Sequence, residues 1–139
     1  MMKFQLQNCN VQEWRNELPY LVQMRSEGYI HLELQADVDN AIIYTDVSRF
    51  TQIISSMLLY PVECKKPRIG MQLVYNREKQ EINSRIDNSP LADSAFASQK
   101  EAILQKINLL FFEHFNGSYR VENCENNPII FFTYPALIT

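Results

Sequence analysis

The side chains that could do chemistry in this 139-residue chain are few and scattered. Three cysteines stand at 9, 64 and 124. An odd count with no close pair supplies neither a disulfide framework nor a zinc site. Cys64 lies beside Lys65 and Lys66, cations that could lower its thiol pKa, but no His, Asn or Asp nearby marks it as a nucleophile. His31 falls in a strand-like stretch and His114 near the end of a helix-like one; neither has a neighbouring ligand, and both read as structural. Asp87 opens a turn with Asn88 and Ser89, a position that favours Asp on backbone grounds alone. There is no Ser-His-Asp set, no convincing carboxylate pair, no metal-ligand spacing and no phosphate loop.

The elements that must position these residues follow from hydrophobic periodicity. Residues 4–7 alternate as a short strand. Asn10 then offers a helix N-cap, with Glu13 as its capping-box partner. Val11, Trp14, Leu18, Leu21 and Val22 follow at helical spacing up to Gly28, and Pro19 predicts a kink or two shorter pieces. Residues 29–35 and 41–44 read as strands. Asp46 or Ser48 caps a second helix whose apolar stripe is Phe50, Ile53, Ile54, Met57 and Leu58, closed by Pro61. Residues 69–75 and 81–86 form a hairpin, and 87–96 a polar loop.

A third helix is capped by Ser98 and Glu101, with Ile103, Ile107, Leu110, Phe111 and Phe115 expected on its buried face. Asn116-Gly117 stops it, and residues 119–122 and 129–134 are the last two strands. The order β-α-β-β-α-β-β-α-β-β predicts an α/β (α+β) two-layer sandwich. Its sheet is mixed and mostly antiparallel, with about three helices packed on one face.

The totals agree with one domain over residues 1–139. Hydrophobic residues make up 46% and charged residues 21%, an ordinary globular balance. A net charge of −3 and a pI near 5.4 give no general basic field for nucleic acid. Lys65, Lys66 and Arg68 form the only small basic cluster and read as a solvated loop. No apolar run approaches the roughly 20 residues that span a bilayer, and the opening residues lack a signal-peptide core. The expectation is a cytoplasmic protein.

At this point the order of elements and three local signatures resemble the ATP-binding domain of sensor histidine kinases, the Bergerat-type histidine-kinase-like ATPase fold. The stretch from Thr45 and Asp46 through Arg49 and Gln52 to Tyr60 and Pro61 follows the family's first signature. Asp87 to Leu91 stand at its Asp-x-Gly-x-Gly loop. The run from Phe112 to Glu122, with Ile130 to Pro135, matches its closing helix, turn and strand. The resemblance covers nearly the whole chain, and it rests on shared order and spacing rather than on any one piece.

The departures concern the nucleotide. By resemblance, Tyr60 stands where the family has its magnesium-binding Asn, and a neutral phenol is a poor magnesium ligand. Ser56 replaces the preceding Asn, and Glu63 reverses the charge of the family's Lys. Ser89 and Leu91 replace two lid glycines, and Ala102-Ile103-Leu104-Gln105 replaces the second glycine-rich run. Glycines there let backbone N–H groups approach phosphates, whereas the residues present are good helix formers. Asp87 and Thr133 match the residues around adenine and would be what remains of that pocket.

The resemblance therefore implies a degenerate, catalytically inactive domain acting through a protein partner in two-component-type signalling. That partner would be a kinase, a response regulator or a second copy. No cofactor is expected, with weak binding of ATP or ADP as the alternative. The family's phosphoacceptor His has no counterpart in His31 or His114.

Overall fold

The computed structural model describes residues 3–28, 30–60, 68–92, 99–124 and 127–138. The elements in chain order are β1 (Gln7–Asn10), α1 (Val11–Arg25), β2 (His31–Asp37), β3 (Ala41–Thr45), α2 (Val47–Leu59), β4 (Arg68–Asn76) and β5 (Glu81–Asp87). They are followed by α3 (Gln99–His114), β6 (Ser118–Cys124), β7 (Asn127–Pro135) and β8 (Leu137–Ile138). The expected α/β sandwich is the architecture observed, with its strands divided between two sheets. Five strands run in the order β2-β4-β5-β7-β6, and a smaller sheet has the order β1-β3-β8. Among the described residues, only β2 and β4 pair in parallel.

α1 and α2 each start where a side chain satisfies a free amide. The Asn10 side chain accepts from the Glu13 amide at 3.1 Å. Asp46 does the same for the Arg49 amide at 3.1 Å, and its other oxygen accepts from the Gln5 amide at 3.1 Å. Burial opposes ionisation of Asp46, but these amides and the Arg49 guanidinium outweigh it and hold the carboxyl below its usual range. α1 is one continuous helix with Pro19 inside it, not two shorter pieces. Proline forfeits one ladder bond, and the buried stripe of Val11, Trp14, Leu18 and Val22 holds the helix together across it. β1 lies at 7–10 rather than 4–7, because its position is set by pairing Gln7 through Asn10 with Thr45 through Ile42 of β3.

The core lies between the helices and one face of the large sheet. Strand alternation decides which residues reach it: Ile82, Ser84 and Ile86 of β5, and Ile69, Met71 and Leu73 of β4. Aromatic rings fill the centre, with Trp14 on Phe50 at 5.1 Å, Phe50 on Tyr134 at 5.3 Å and Phe112 on Phe132 at 4.8 Å. α2 buries the stripe the sequence predicts. α3 does so only in part: Phe111 is buried and Phe115 packs against the core as expected, but Glu101, Asn108 and Phe112 are buried with them and Ile103, Ile107 and Leu110 are left in solvent. The large rings fill the layer above β6 and β7, where the aliphatic stripe was expected. Ser98, the expected cap of this helix, and Pro61, Glu63, Cys64, Lys65 and Lys66 lie outside the described residues.

The chain turns out of α3 through Asn116, which takes the left-handed conformation at φ 62°. Gly117 is needed for room instead. A Cβ there would lie 2.2 Å from the Thr133 carbonyl oxygen.

Candidate functional site

The segment after β5 is where the sequence places its candidate site, and it is tied down at every step. Asn88 adopts φ 64°, donates its amide to the Pro128 carbonyl at 3.0 Å, and donates its side-chain NH2 to the Arg68 carbonyl at 2.9 Å. Ser89 is fully buried, and its hydroxyl donates to the Met57 carbonyl of α2 at 2.7 Å. Met57 is in the last turn of α2, where carbonyls lack intrahelical partners, so Ser89 acts as a C-terminal cap supplied from elsewhere in the chain. Leu91 and Ala92 join the hydrophobic core, and the Gln105 side chain of α3 donates to the Leu91 carbonyl at 3.1 Å. Gln105 in turn accepts from the Tyr119 hydroxyl of β6. Burial raises the Tyr119 phenol to about 12, although the Asn108 amide favours its ionised form.

Residues 88–92 thus bridge α2 and α3. Positions 102–105, matched at the sequence level to a glycine-rich run, are regular helix within α3.

Tyr60 is the C-cap of α2 in extended conformation, with the Lys100 ammonium 5.2 Å from its ring centroid. Beside it is a groove of about 470 Å³, bordered by Arg25, Ser55, Ser56, Tyr60, Lys100 and Leu104. The Ser56 hydroxyl is committed to the Ile53 carbonyl at 2.7 Å. The Ser55 hydroxyl is buried without a hydrogen-bond partner. No carboxylate lines the groove among the described residues.

Asp87 and Thr133 are elsewhere. Ile86 points to the core, so strand alternation turns Asp87 to the opposite face of the sheet, away from the core. There Arg85 grips its carboxylate through Nε at 3.0 Å and Nη2 at 2.8 Å. Thr133 shares that outer face, hydroxyl to hydroxyl with Ser118 at 2.8 Å. Tyr60, Ser56 and Leu91 are on the helix side. The structure therefore brings the lid-position residues together with α2 and α3, and it does not bring Asp87 or Thr133 to Tyr60.

The orientation of Asp87 was readable from the alternation of Ile82, Ser84 and Ile86, which puts 87 out of phase with the core. Lys100, Arg25 and Gln105 carried no signal of their own in the sequence, because their roles come from the packing of three separate elements. Of the remaining reactive side chains, Cys9 is a buried free thiol pushed up to about 11 by burial and by Glu13 and Glu17. His114 packs against Phe4 at 4.7 Å, and His31 is exposed at the edge strand. Among the described residues no group of three His, Cys, Asp or Glu could hold a metal ion, and no helix is long and apolar enough to cross a membrane.

No protein-family model matches the sequence, and no curated protein sequence matches it. Solved structures do. The chain is similar to the catalytic domain of histidine kinase ThkA in a nucleotide-free form, with a TM-score of 0.69 at 15% identity over 95% of this chain and 96% of that one. It is similar to the mycobacterial sensor histidine kinase MprB, with a TM-score of 0.66 at 16% identity over 96% of this chain and 100% of that one. Histidine kinase AdeS of Acinetobacter baumannii gives 0.64 at 10% identity, over 96% of this chain and 68% of that one. At such identities the likeness speaks for architecture. The chain has the fold of the catalytic, ATP-binding domain of sensor histidine kinases.

Proposed function

We propose that this domain keeps the histidine-kinase architecture without its phosphate chemistry, and serves as a protein-interaction module in a two-component-type signalling pathway. The observation that carries the reading is the anchored segment at 88–92. A nucleotide cleft with a mobile lid needs a glycine-rich loop that can swing and present amides. Here Ser89 is buried against α2, Leu91 is in the core, and Gln105 holds the Leu91 carbonyl.

The residues on the helix side also fit magnesium triphosphate poorly. Magnesium asks for compact oxygen ligands in near-octahedral array. The groove beside Tyr60 offers a phenol, a hydroxyl already committed and a buried one. A protein of this fold, ThkA, has been solved in complex with a response regulator protein, TrrA, which supports a protein partner for the present chain. That structure gives a TM-score of 0.65 at 16% identity, over 94% of this chain and 41% of that one. The partner is a kinase, a response regulator or a second copy. The contact falls to exposed residues, which leaves out Leu91, buried at 3% exposure.

The test is calorimetric titration with ATP and ADP, with and without magnesium, beside Asp87→Asn. The expected result is no saturable heat at millimolar nucleotide. Saturable binding lost in Asp87→Asn would restore the adenine pocket and overturn the proposal. A second reading, weak magnesium-independent binding of an adenine nucleotide, draws on the Arg25 and Lys100 cations bordering the groove. It predicts binding that Lys100→Ala weakens and Asp87→Asn leaves alone, since Asp87 faces the other side of the sheet.

A further inference from the structure

A convex and a concave apolar surface stand open among the described residues. The first is a ridge on α3: Ile103, Ile107 and Leu110 stand at i, i+4 and i+7, one helix stripe, with exposures of 52%, 48% and 50%. Beside the ridge are Lys100 and Lys106, and Glu113 lies past its C-terminal end. The second is a groove of about 470 Å³ between α1 and α2, bordered by Trp14, Tyr20, Leu21, Met24, Val47 and Glu17. Its rim is open, with Tyr20 exposed by 67% and Met24 by 60%. Its floor is fixed by the Trp14 indole, which donates to the Thr51 hydroxyl at 3.0 Å. Glu17 is the one charged residue lining it, and exposed Glu13 lies one helical turn before.

We infer that these surfaces receive each other, and that the chain associates head to tail with a second copy, the α3 ridge of one molecule seated in the α1–α2 groove of the next. Three features on the two surfaces favour this occupant. A convex stripe at helical spacing meets a concave, aromatic- and Met-lined trough, the shape relation of helix-in-groove recognition. The charges are opposite, with lysines along the ridge and glutamates along the groove, so encounter is steered and wrong registers are penalised. Both side-chain sets are apolar and half open, whereas the outer sheet face satisfies itself: Arg85 and Arg120 flank Phe131 at 5.7 and 4.4 Å and are paired with Asp87 and Glu122. The contact is heterologous, because the two patches differ, and it leaves an unused ridge at one end and an unused groove at the other. It is independent of whether any nucleotide binds.

Sedimentation velocity tests it with three proteins. The wild type is expected to grow in size with concentration, and a strictly monomeric wild type up to millimolar would overturn the inference. Ile107→Asp breaks the ridge and Met24→Asp breaks the groove, and each is expected to weaken self-association at least about thirty-fold. Both positions are at the surface, so folding is checked by an unchanged circular dichroism spectrum. An equimolar mixture of the two variants is decisive. Ile107→Asp still has a groove and Met24→Asp still has a ridge, so the mixture is expected to form a capped one-to-one dimer. A mixture that stays monomeric would refute the seating of the ridge in the groove. The charge pair gives a second route: Glu17→Lys is expected to weaken association, and adding Lys106→Glu to recover it, whereas a double variant as weak as the single would count against the seating.

Discussion

Ser89→Ala removes one oxygen atom and should cost a large part of the stability of this domain. The Ser89 side chain is completely buried, and its hydroxyl donates to the Met57 carbonyl at 2.7 Å. Deleting the donor strands a buried carbonyl in the last turn of α2, and leaving such a group unpaired costs about 1–3 kcal/mol. The cavity left by a single oxygen adds little. Against a total of roughly 5–15 kcal/mol for a typical domain, a loss near 2 kcal/mol is a substantial fraction. With a urea slope of about 1–3 kcal/mol/M, the denaturation midpoint should fall by about 1 M with an unchanged slope. Thr133→Ala is the control, because its hydroxyl pair with Ser118 is exposed and should matter by about 0.5 kcal/mol or less. Hydrogen exchange should show faster opening of residues 88–92 in the Ser89 variant than in the wild type. A midpoint unchanged by Ser89→Ala would refute the reasoning that this segment is pinned to α2.

Other perturbations read other parts of the fold. Gly117→Ala forces a Cβ to within 2.2 Å of the Thr133 carbonyl oxygen, so α3 and β7 must separate; thermal unfolding should report a loss of about 1–3 kcal/mol or more. Asp46→Ala removes the α2 cap and the tie to the Gln5 amide, a loss of about 0.5–2 kcal/mol by urea titration at neutral pH. Because the Asp46 pKa is lowered on folding, its contribution is present above the unfolded carboxyl value, about 3.9, and disappears as pH falls through the folded value. The gap between wild type and Asp46→Asn should therefore close in acid below pH about 4. Cys9 and Tyr119 shift the other way, to about 11 and about 12. A raised value favours the protonated folded form, so stability should hold to the unfolded thiol value, about 8.5, and decline through pH 11–12; a flat denaturation midpoint between pH 8 and 11 would contradict this.

How much of this was legible depended on whether a residue's role was local. α2 was the best read: Asp46, one of two candidate caps, caps it, and Phe50, Ile53, Ile54, Met57 and Leu58 are buried as expected. α3 was misread because its sequence is apolar nearly all round, with Ile103, Leu104, Ile107, Leu109, Leu110, Phe111 and Phe112 in a single helix. Periodicity then cannot choose a face, and the volume of the rings does. Pro19 inside α1 shows tertiary burial outweighing a local breaker. β8, two residues long, exists only because Leu137 and Ile138 meet Ile42 and Ala41, which no window of sequence contains. At the candidate site the residue types of the anchored segment were seen, and their partners were not. Ser89 and Leu91 differ from glycine in any alignment, but the Met57 carbonyl and the Gln105 amide enter only when three elements pack. Asp87 was identified by type alone, and its side of the strand follows only from the alternation of Ile82, Ser84 and Ile86.

The parallel pairing of β2 with β4 bears on how the chain reaches this structure. Antiparallel neighbours such as β4 and β5 are joined by a short turn and can zip from it. His31 to Asp37 instead wait for Arg68 to Val74, with β3 and α2 in the intervening chain. Closing that long loop is an entropic cost met before any of its hydrogen bonds form. The large sheet is therefore expected to grow from its hairpins, β4-β5 and β6-β7, with β2 docking last. On a ribosome the first strand of this sheet to emerge has its sheet partner only once synthesis is past the second helix.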